Sequence, residues 1–117
     1  MKGTLEEACR TFPGITEEIL WDCNRVFKVG GKMFFAGNES DDPAGKFSFK
    51  VADERFLELT DQPGIAPAPY LAKVKWVQVD PLSCLLSEED LLDLVRESYE
   101  LIFAKLTRKA QRSIRED

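Results

Sequence analysis

Arg25-Val-Phe-Lys-Val-Gly-Gly-Lys-Met-Phe-Phe-Ala-Gly37 is the stretch on which the reading of this chain turns. Two runs of strand-forming residues, Arg25–Val29 and Lys32–Ala36, flank Gly30-Gly31, and such a pair predicts a two-residue hairpin turn. The turn sets Val29 opposite Lys32, Phe27 opposite Phe34 and Val26 opposite Phe35. One face then carries Phe27, Val29, Phe34 and Ala36. The other carries Val26, Met33 and Phe35 around Lys28. An antiparallel sheet with one wet face alternates apolar and polar residues. Here both faces read as apolar, so something besides one helix layer is expected to cover the second.

Downstream, Lys46–Val51 alternates cleanly, with Phe47, Phe49 and Val51 on one face and Lys46, Ser48 and Lys50 on the other. Burying the rings sends both ammonium groups to solvent. The Asn38–Gly45 segment reads as an exposed acidic turn, without the ligand spacing or closing glutamate of a calcium loop. Asp53 is placed to cap a short helix carrying Phe56, Leu57 and Leu59, which Asp61-Gln-Pro-Gly64 ends. Then comes Pro67-Ala-Pro-Tyr-Leu-Ala-Lys-Val-Lys-Trp-Val-Gln-Val-Asp80. Its prolines hold Ala66 and Ala68 extended. Lys73–Val79 reads as a strand, with Lys75, Val77 and Val79 on one face and Val74, Trp76 and Gln78 on the other. An indole in a strand more often packs than binds, yet Trp76 with Lys73 and Lys75 also has the makings of a ligand surface.

Toward the N-terminus, Thr4 and Glu7 have capping-box spacing. They predict a helix from about Leu5 to Thr11, stopped by Pro13-Gly14. Thr16–Trp21 is a weaker strand, because Glu17-Glu18 is poor strand material. At the other end, Ser87 and Asp90 supply an N-cap and an acidic first turn. Leu92, Val95, Tyr99, Ile102 and Leu106 form an apolar stripe widened by Leu91, Leu94 and Phe103. A helix of about twenty residues is on the order of 30 Å long and can cross a whole sheet. Lys105, Arg108 and Lys109 then suit its negative end, or serve binding. Ser113–Asp117 is expected to fray.

The 117 residues suit one domain, 1–117, with a single core. The composition, 44% hydrophobic and 32% charged, is that of a soluble globular protein. No segment has the length of a membrane span and no targeting segment opens the chain, so the cytoplasm is the default. Cys9, Cys23 and Cys84 are odd in number and widely spaced, which argues against a disulfide framework or a zinc site. Histidine is absent. That removes Ser-His-Asp and Cys-His centres and the commonest metal ligand. No catalytic constellation, cofactor or metal is expected. The net charge of −5 argues against strong nonspecific nucleic-acid affinity, but Lys105–Arg115 holds five basic residues and no acidic one.

Val26-Phe-Lys-Val-Gly-Gly-Lys-Met-Phe-Phe35, the Lys50 strand end before Ala52-Asp53-Glu54, Pro67-Ala-Pro-Tyr-Leu71, Trp76-Val-Gln-Val-Asp80, and Ser98-Tyr-Glu-Leu101 with Ala104-Lys-Leu106 together resemble the MmcQ/YjbR family. The resemblance runs from about Leu5 to Lys109. Ala72 and Val74 depart from it, filling positions often polar in relatives. It implies a small bacterial α+β domain similar in fold to type III secretion chaperones. Members are commonly labelled DNA-binding, with the hairpins pictured as a double wing.

Residues and resemblance together predict an α+β fold with an antiparallel sheet of four or five strands. The short N-terminal helix, the sheet and the long C-terminal helix are expected as successive layers. Three functional readings follow, and the third, an enzyme, is disfavoured because no nucleophile–base pair, phosphate loop or metal-ligand cluster appears. In the first, the chain binds nucleic acid. Lys46, Lys50, Lys73, Lys75 and Lys105 contact phosphates, while Tyr70 or Trp76 stacks on bases. In the second, the apolar second face of the Arg25–Ala36 hairpin docks a protein partner, as in a chaperone-like module.

Overall fold

A computed structural model describes residues 2–20, 24–38 and 45–115. Trp21, Cys23, most of the expected acidic turn and the last two residues lie outside the described residues. The elements are α1 (Lys2–Arg10), β1 (Ile15–Leu20), β2 (Asn24–Val29), β3 (Lys32–Asn38), β4 (Phe47–Lys50), α2 (Phe56–Thr60), β5 (Ile65–Pro67), β6 (Trp76–Val79), α3 (Glu88–Phe103) and α4 (Arg108–Arg115). The class is α+β as expected, but the sheet has six strands, ordered β1-β2-β3-β4-β6-β5, not four or five. Every pairing is antiparallel. The strand that sequence reading missed is β5. It is three residues long and sits at the edge, where proline is tolerated because one side of the strand needs no ladder donor.

The Gly30-Gly31 turn forms as read, with φ of 58° and 80°, and Val29 pairs with Lys32. Beyond it the register shifts by one. Phe27 faces Phe35 and Val26 faces Ala36, so β3 carries an extra residue against β2. The bulge directs both Phe34 and Phe35 into the core, where each is fully buried. Phe35 lies 5.9 Å from Phe27 and 5.8 Å from Phe47, while Phe34 meets Tyr99 edge-on at 5.3 Å. This corrects the face that alternation gave to Phe35. With Phe35 turned inward, the outer face of the hairpin keeps Val26, Met33 and Lys28, and Lys28 pairs with Glu18 at 3.0 Å.

The expected three layers are two. Helices α1 and α3 pack together on the same face of the sheet, and Leu5 and Cys9 join Val95, Tyr99 and the strand phenylalanines in one core. Helix α1 starts at Lys2, so Thr4 lies within it and caps nothing. Ion pairs add to the burial of Leu5 and Cys9 in holding α1 to the sheet. Arg10 makes a bidentate bond to Glu17 at 2.9 and 3.0 Å, and Arg25 reaches Glu6 at 3.2 Å and Glu17 at 3.3 Å. The two glutamates that made β1 look weak are therefore its anchors.

The Arg10 hydrogen bond holds the Glu17 carboxyl below the usual carboxylate range. A carboxyl depressed in the folded state adds stability above its unfolded value, roughly 4.3, and loses it as pH falls through the folded value. Glu17→Gln is therefore expected to lower stability at neutral pH and to flatten its decline in acid. Urea melts at a series of pH values would show this; parallel curves for variant and parent would exclude the mechanism. Close by, burial pushes the Cys9 thiol up to about 12, so it stays protonated and inert at neutral pH.

The Ser87–Asp90 capping box forms as read. The Asp90 N–H donates to Ser87 Oγ at 3.1 Å, and the Ser87 N–H donates to Asp90 Oδ2 at 3.3 Å. Helix α3 runs only sixteen residues, not about twenty. Thr107 starts a new helix, its Oγ1 accepting from the Ala110 N–H at 3.1 Å. The Gln111 amide then donates to the carbonyls of Phe103 and Leu106 at 3.2 and 3.0 Å, closing the end of α3. Ser113 to Arg115 is helical rather than frayed, because Ile114 packs on the core and Arg115 pairs with Glu100 at 2.9 Å. Between Asp53 and Phe56 a single 3-10 turn leads into α2, with no side-chain cap from Asp53.

Candidate functional site

Lys73–Val79 is not one continuous strand. Ala72–Val74 forms a 3-10 turn, Lys75 is left-handed at φ 63°, and pairing starts at Trp76. Lys73 and Lys75 therefore do not alternate on the sheet. Trp76 is 4% exposed, so its indole packs and is not presented for stacking. Tyr70 is the opposite case: also left-handed, at φ 66°, it is fully exposed. Lys73 is exposed on the same turn.

Lys46 and Lys50, expected side by side in solvent, part company. Lys46 is exposed at the start of β4, beside Ala66, Gln78 and Asp80. Lys50, at the other end of the strand, is 7% exposed and donates to the Val74 carbonyl at 2.6 Å. Its ammonium ties the 3-10 turn to β4, so a charge reversal there would set a carboxylate against a carbonyl. Burial, then the neighbouring Lys105 ammonium, holds Lys50 below the ordinary lysine range, with Asp53 opposing and Lys75 adding to the effect. Lys75 lies over the Phe56 ring at 5.1 Å. The fold thus anchors Lys50, leaves Tyr70 and Lys73 exposed on the adjacent turn, sets Lys46 apart and buries Trp76.

The backbone at this end of the sheet is held by a side chain. The Lys50 N–H donates to Ser98 Oγ at 3.0 Å, and the Ser98 hydroxyl donates to the Phe34 carbonyl at 2.7 Å. Pairing of β3 with β4 stops one step earlier, at Phe35 and Phe49. A serine of α3 therefore supplies the next rung.

The basic run from Lys105 becomes a separate surface because α4 is a separate helix. Arg108, Lys109 and Arg112 are exposed along it. Arg108, Gln111, Arg112 and Arg115 line a shallow groove floored by Phe103, and the Arg115 guanidinium lies 4.1 Å above that ring. Sequence reading found the charge run and left Arg108 and Lys109 between a helix-end role and binding, but named only Lys105 as a contact. The signal available was Thr107, an N-cap residue in mid-stripe.

Among the described residues, no group of three His, Cys, Asp or Glu side chains is placed to hold a metal, and no helix is long and apolar enough to cross a membrane. The fold is similar to the crystal structure of Deinococcus radiodurans protein DR2400, which carries domain DUF419. The TM-score is 0.79 at 31% identity, covering 97% of this chain and 86% of that one. A Pseudomonas syringae protein shares the fold at a TM-score of 0.68 and 19% identity, over 86% of this chain and 97% of that one. Protein YbdF of Escherichia coli O157:H7 is 32% identical over 92 residues, which is 77% of this chain and 73% of YbdF. The sequence model of the YjbR family matches residues 10–101, and with that span covered the chain belongs to the YjbR family.

Proposed function

We propose that the chain is a nucleic-acid-binding module whose contact surface is α4 with Lys105. The carrying observation is charge segregation. Residues 105–115 carry +5 in a chain of net −5, so the remainder carries −10. Fields at an ionic strength of 0.15 M decay over about 8 Å, so the basic helix acts on a polyanion largely by itself. Stability does not account for the placement. Arg108 and Lys109 sit in the first turn of α4, where the helix dipole favours anions. In the double-wing picture the β2–β3 hairpin tip adds a second contact. Its exposed Lys32 follows a turn whose Gly30 lies against Leu106, so Lys32 and Lys105 share one end of the fold.

The test is anisotropy of a labelled oligonucleotide, single- and double-stranded, at two salt concentrations. Nonspecific phosphate-driven binding has a Kd of about 10⁻⁴–10⁻⁶ M at physiological salt and weakens steeply as salt rises. Arg108→Glu with Arg112→Glu is expected to abolish it and to leave the thermal melt nearly unchanged. Absence of salt-sensitive binding at about 10⁻⁴ M protein, below which nonspecific binders respond, would sink the reading.

A second reading is a protein-interaction module, with the contact at the turn before β6. Two non-glycine residues of that turn, Tyr70 and Lys75, are left-handed. Such strain persists only where the surroundings enforce it, and it clusters at functional sites. Tyr70 offers the partner a fully exposed ring, and Val74 is 49% exposed beside it. Salt-insensitive binding of a partner that Tyr70→Ala removes would favour this reading.

A further inference from the structure

Strands β1 and β5 are the two edges of the sheet, and they differ in what they offer a neighbour. An edge strand presents unpaired N–H and C=O groups unless something blunts it. Strand β5 is blunted: Pro67 has no N–H, and the Ile65 N–H donates to the Gln62 carbonyl at 3.3 Å. Strand β1, Ile15-Thr-Glu-Glu-Ile-Leu20, holds neither proline nor lysine. The Gly30-Gly31 turn fixes which of its groups are free. Val29, directly before the turn, pairs with Lys32, so its N–H and C=O face β3. By alternation along β2, Lys28, Val26 and Asn24 face β1, where they meet Thr16, Glu18 and Leu20. Ile15, Glu17 and Ile19 therefore turn their N–H and C=O outward, and among the described residues no strand lies beyond them. Their side chains share the helix side of the sheet, where Glu17 bonds Arg10, Ile15 is half-buried and Ile19 is 45% exposed.

We infer that β1 is the contact with a second copy of this chain, the two strands pairing antiparallel about a two-fold axis at Glu17. The strand is self-complementary about that residue. Ile15 and Ile19 stand two positions to either side of it, so Ile15 meets Ile19 of the partner subunit, and Ile19 meets Ile15 of the partner subunit. Ile15, Glu17 and Ile19 all face the new neighbour with their backbone groups, so each pair exchanges two N–H···O bonds. The exposed Ile19 gains an apolar neighbour that a strand of unrelated sequence has no reason to supply. Carboxylates directly opposite one another repel. Here each Glu17 already has Arg10 at 2.9 Å and Arg25 at 3.3 Å, so the axis gathers two carboxylates among four guanidiniums. Glu18, on the opposite face, is drawn back toward β2 by Lys28 at 3.0 Å and meets Thr16 of the partner subunit. The same patch serves both subunits, so the contact closes at a dimer whose sheet is continuous. The inference stands apart from the nucleic-acid reading, whose surface is α4.

The test is sedimentation equilibrium of the full chain as its concentration rises, paired with amide hydrogen exchange at both ends of the range. The expected result is a reversible monomer–dimer equilibrium in which exchange at Ile15, Glu17 and Ile19 slows as dimer forms. Ile19→Pro removes an outward donor and no bond to β2, so the variant should fold and stay monomeric. Ile19→Lys keeps the backbone donor and blunts the edge with charge, so it should weaken the dimer by roughly tenfold or more. It carries the test should the proline variant fail to fold. Ala66→Lys, on the opposite edge, should leave the dimer unchanged. In a mixture of labelled and unlabelled copies, the Ile15 methyl groups should show NMR contacts to Ile19 of the partner subunit. Monomer alone up to about 10⁻³ M protein, where even contacts at the weak end of binding are populated, overturns the inference. So does a dimer that survives Ile19→Lys, or one whose slowed amides lie outside β1.

Discussion

Phe103→Ala is expected to destabilise the protein by about 3–5 kcal/mol, the usual cost of emptying a buried phenylalanine site. The ring is 7% exposed and stacks on Tyr99 at 6.0 Å. Tyr99 continues the cluster to Phe12 at 4.9 Å and donates its hydroxyl to the Pro13 carbonyl at 2.6 Å. On its other side Phe103 supports the Arg115 guanidinium at 4.1 Å, so the substitution also removes the platform under α4. Chemical denaturation measures the loss. A value below about 1 kcal/mol, ordinary for point mutants, would mean the ring contributes little to the core.

Ser98→Ala should cost about 2–4 kcal/mol, which is large for the loss of one oxygen atom. The hydroxyl is fully buried and serves two backbone groups at once, accepting from the Lys50 N–H and donating to the Phe34 carbonyl. Without it a buried donor and a buried acceptor lose their partner, at about 1–3 kcal/mol each before relaxation. Amide exchange at Lys50 should accelerate in step with the loss. If the variant is as stable as its parent and Lys50 exchanges no faster, the strands have closed to pair directly, and the serine is a spacer rather than a rung.

How far the sequence carried can be argued element by element. The hairpin, the Ser87 cap and the stripe from Leu91 to Leu106 were legible because each is a local pattern: a turn residue pair, a cap spacing, a helical period. The bulge in β3 was not. A tight turn fixes pairing only near itself, and what helps draw Phe34 and Phe35 inward is packing against Tyr99 and Phe47, which lie outside the hairpin. The strand status of β1 was obscured for a similar reason, since Glu17 is explained by Arg10 and Arg25 and Glu18 by Lys28. Of the candidate residues, the placement of Lys50, Lys73 and Lys75 was misread. Alternation sent Lys50 to solvent, whereas the carbonyl of a turn absent from the reading claimed its ammonium. Trp76 followed the base rate for an indole in a strand.

The extra residue in β3 acts on the sheet as an inserted base acts on a reading frame. Strand β4 takes its register from β3 beyond the bulge, β6 takes its register from β4, and β5 from β6. Phe49, Val77 and Pro67 are aligned through Phe35, so their face is decided by a single residue counted once, upstream of them all. Deleting one residue near Phe34 would regularise the hairpin and leave every later rung in register, at the cost of one buried ring. The bulge absorbs the one-residue step that would otherwise turn Phe35 and every later rung to the other face. In the middle of β3, loss of the extra residue should therefore keep the sheet in register, and a second insertion should not.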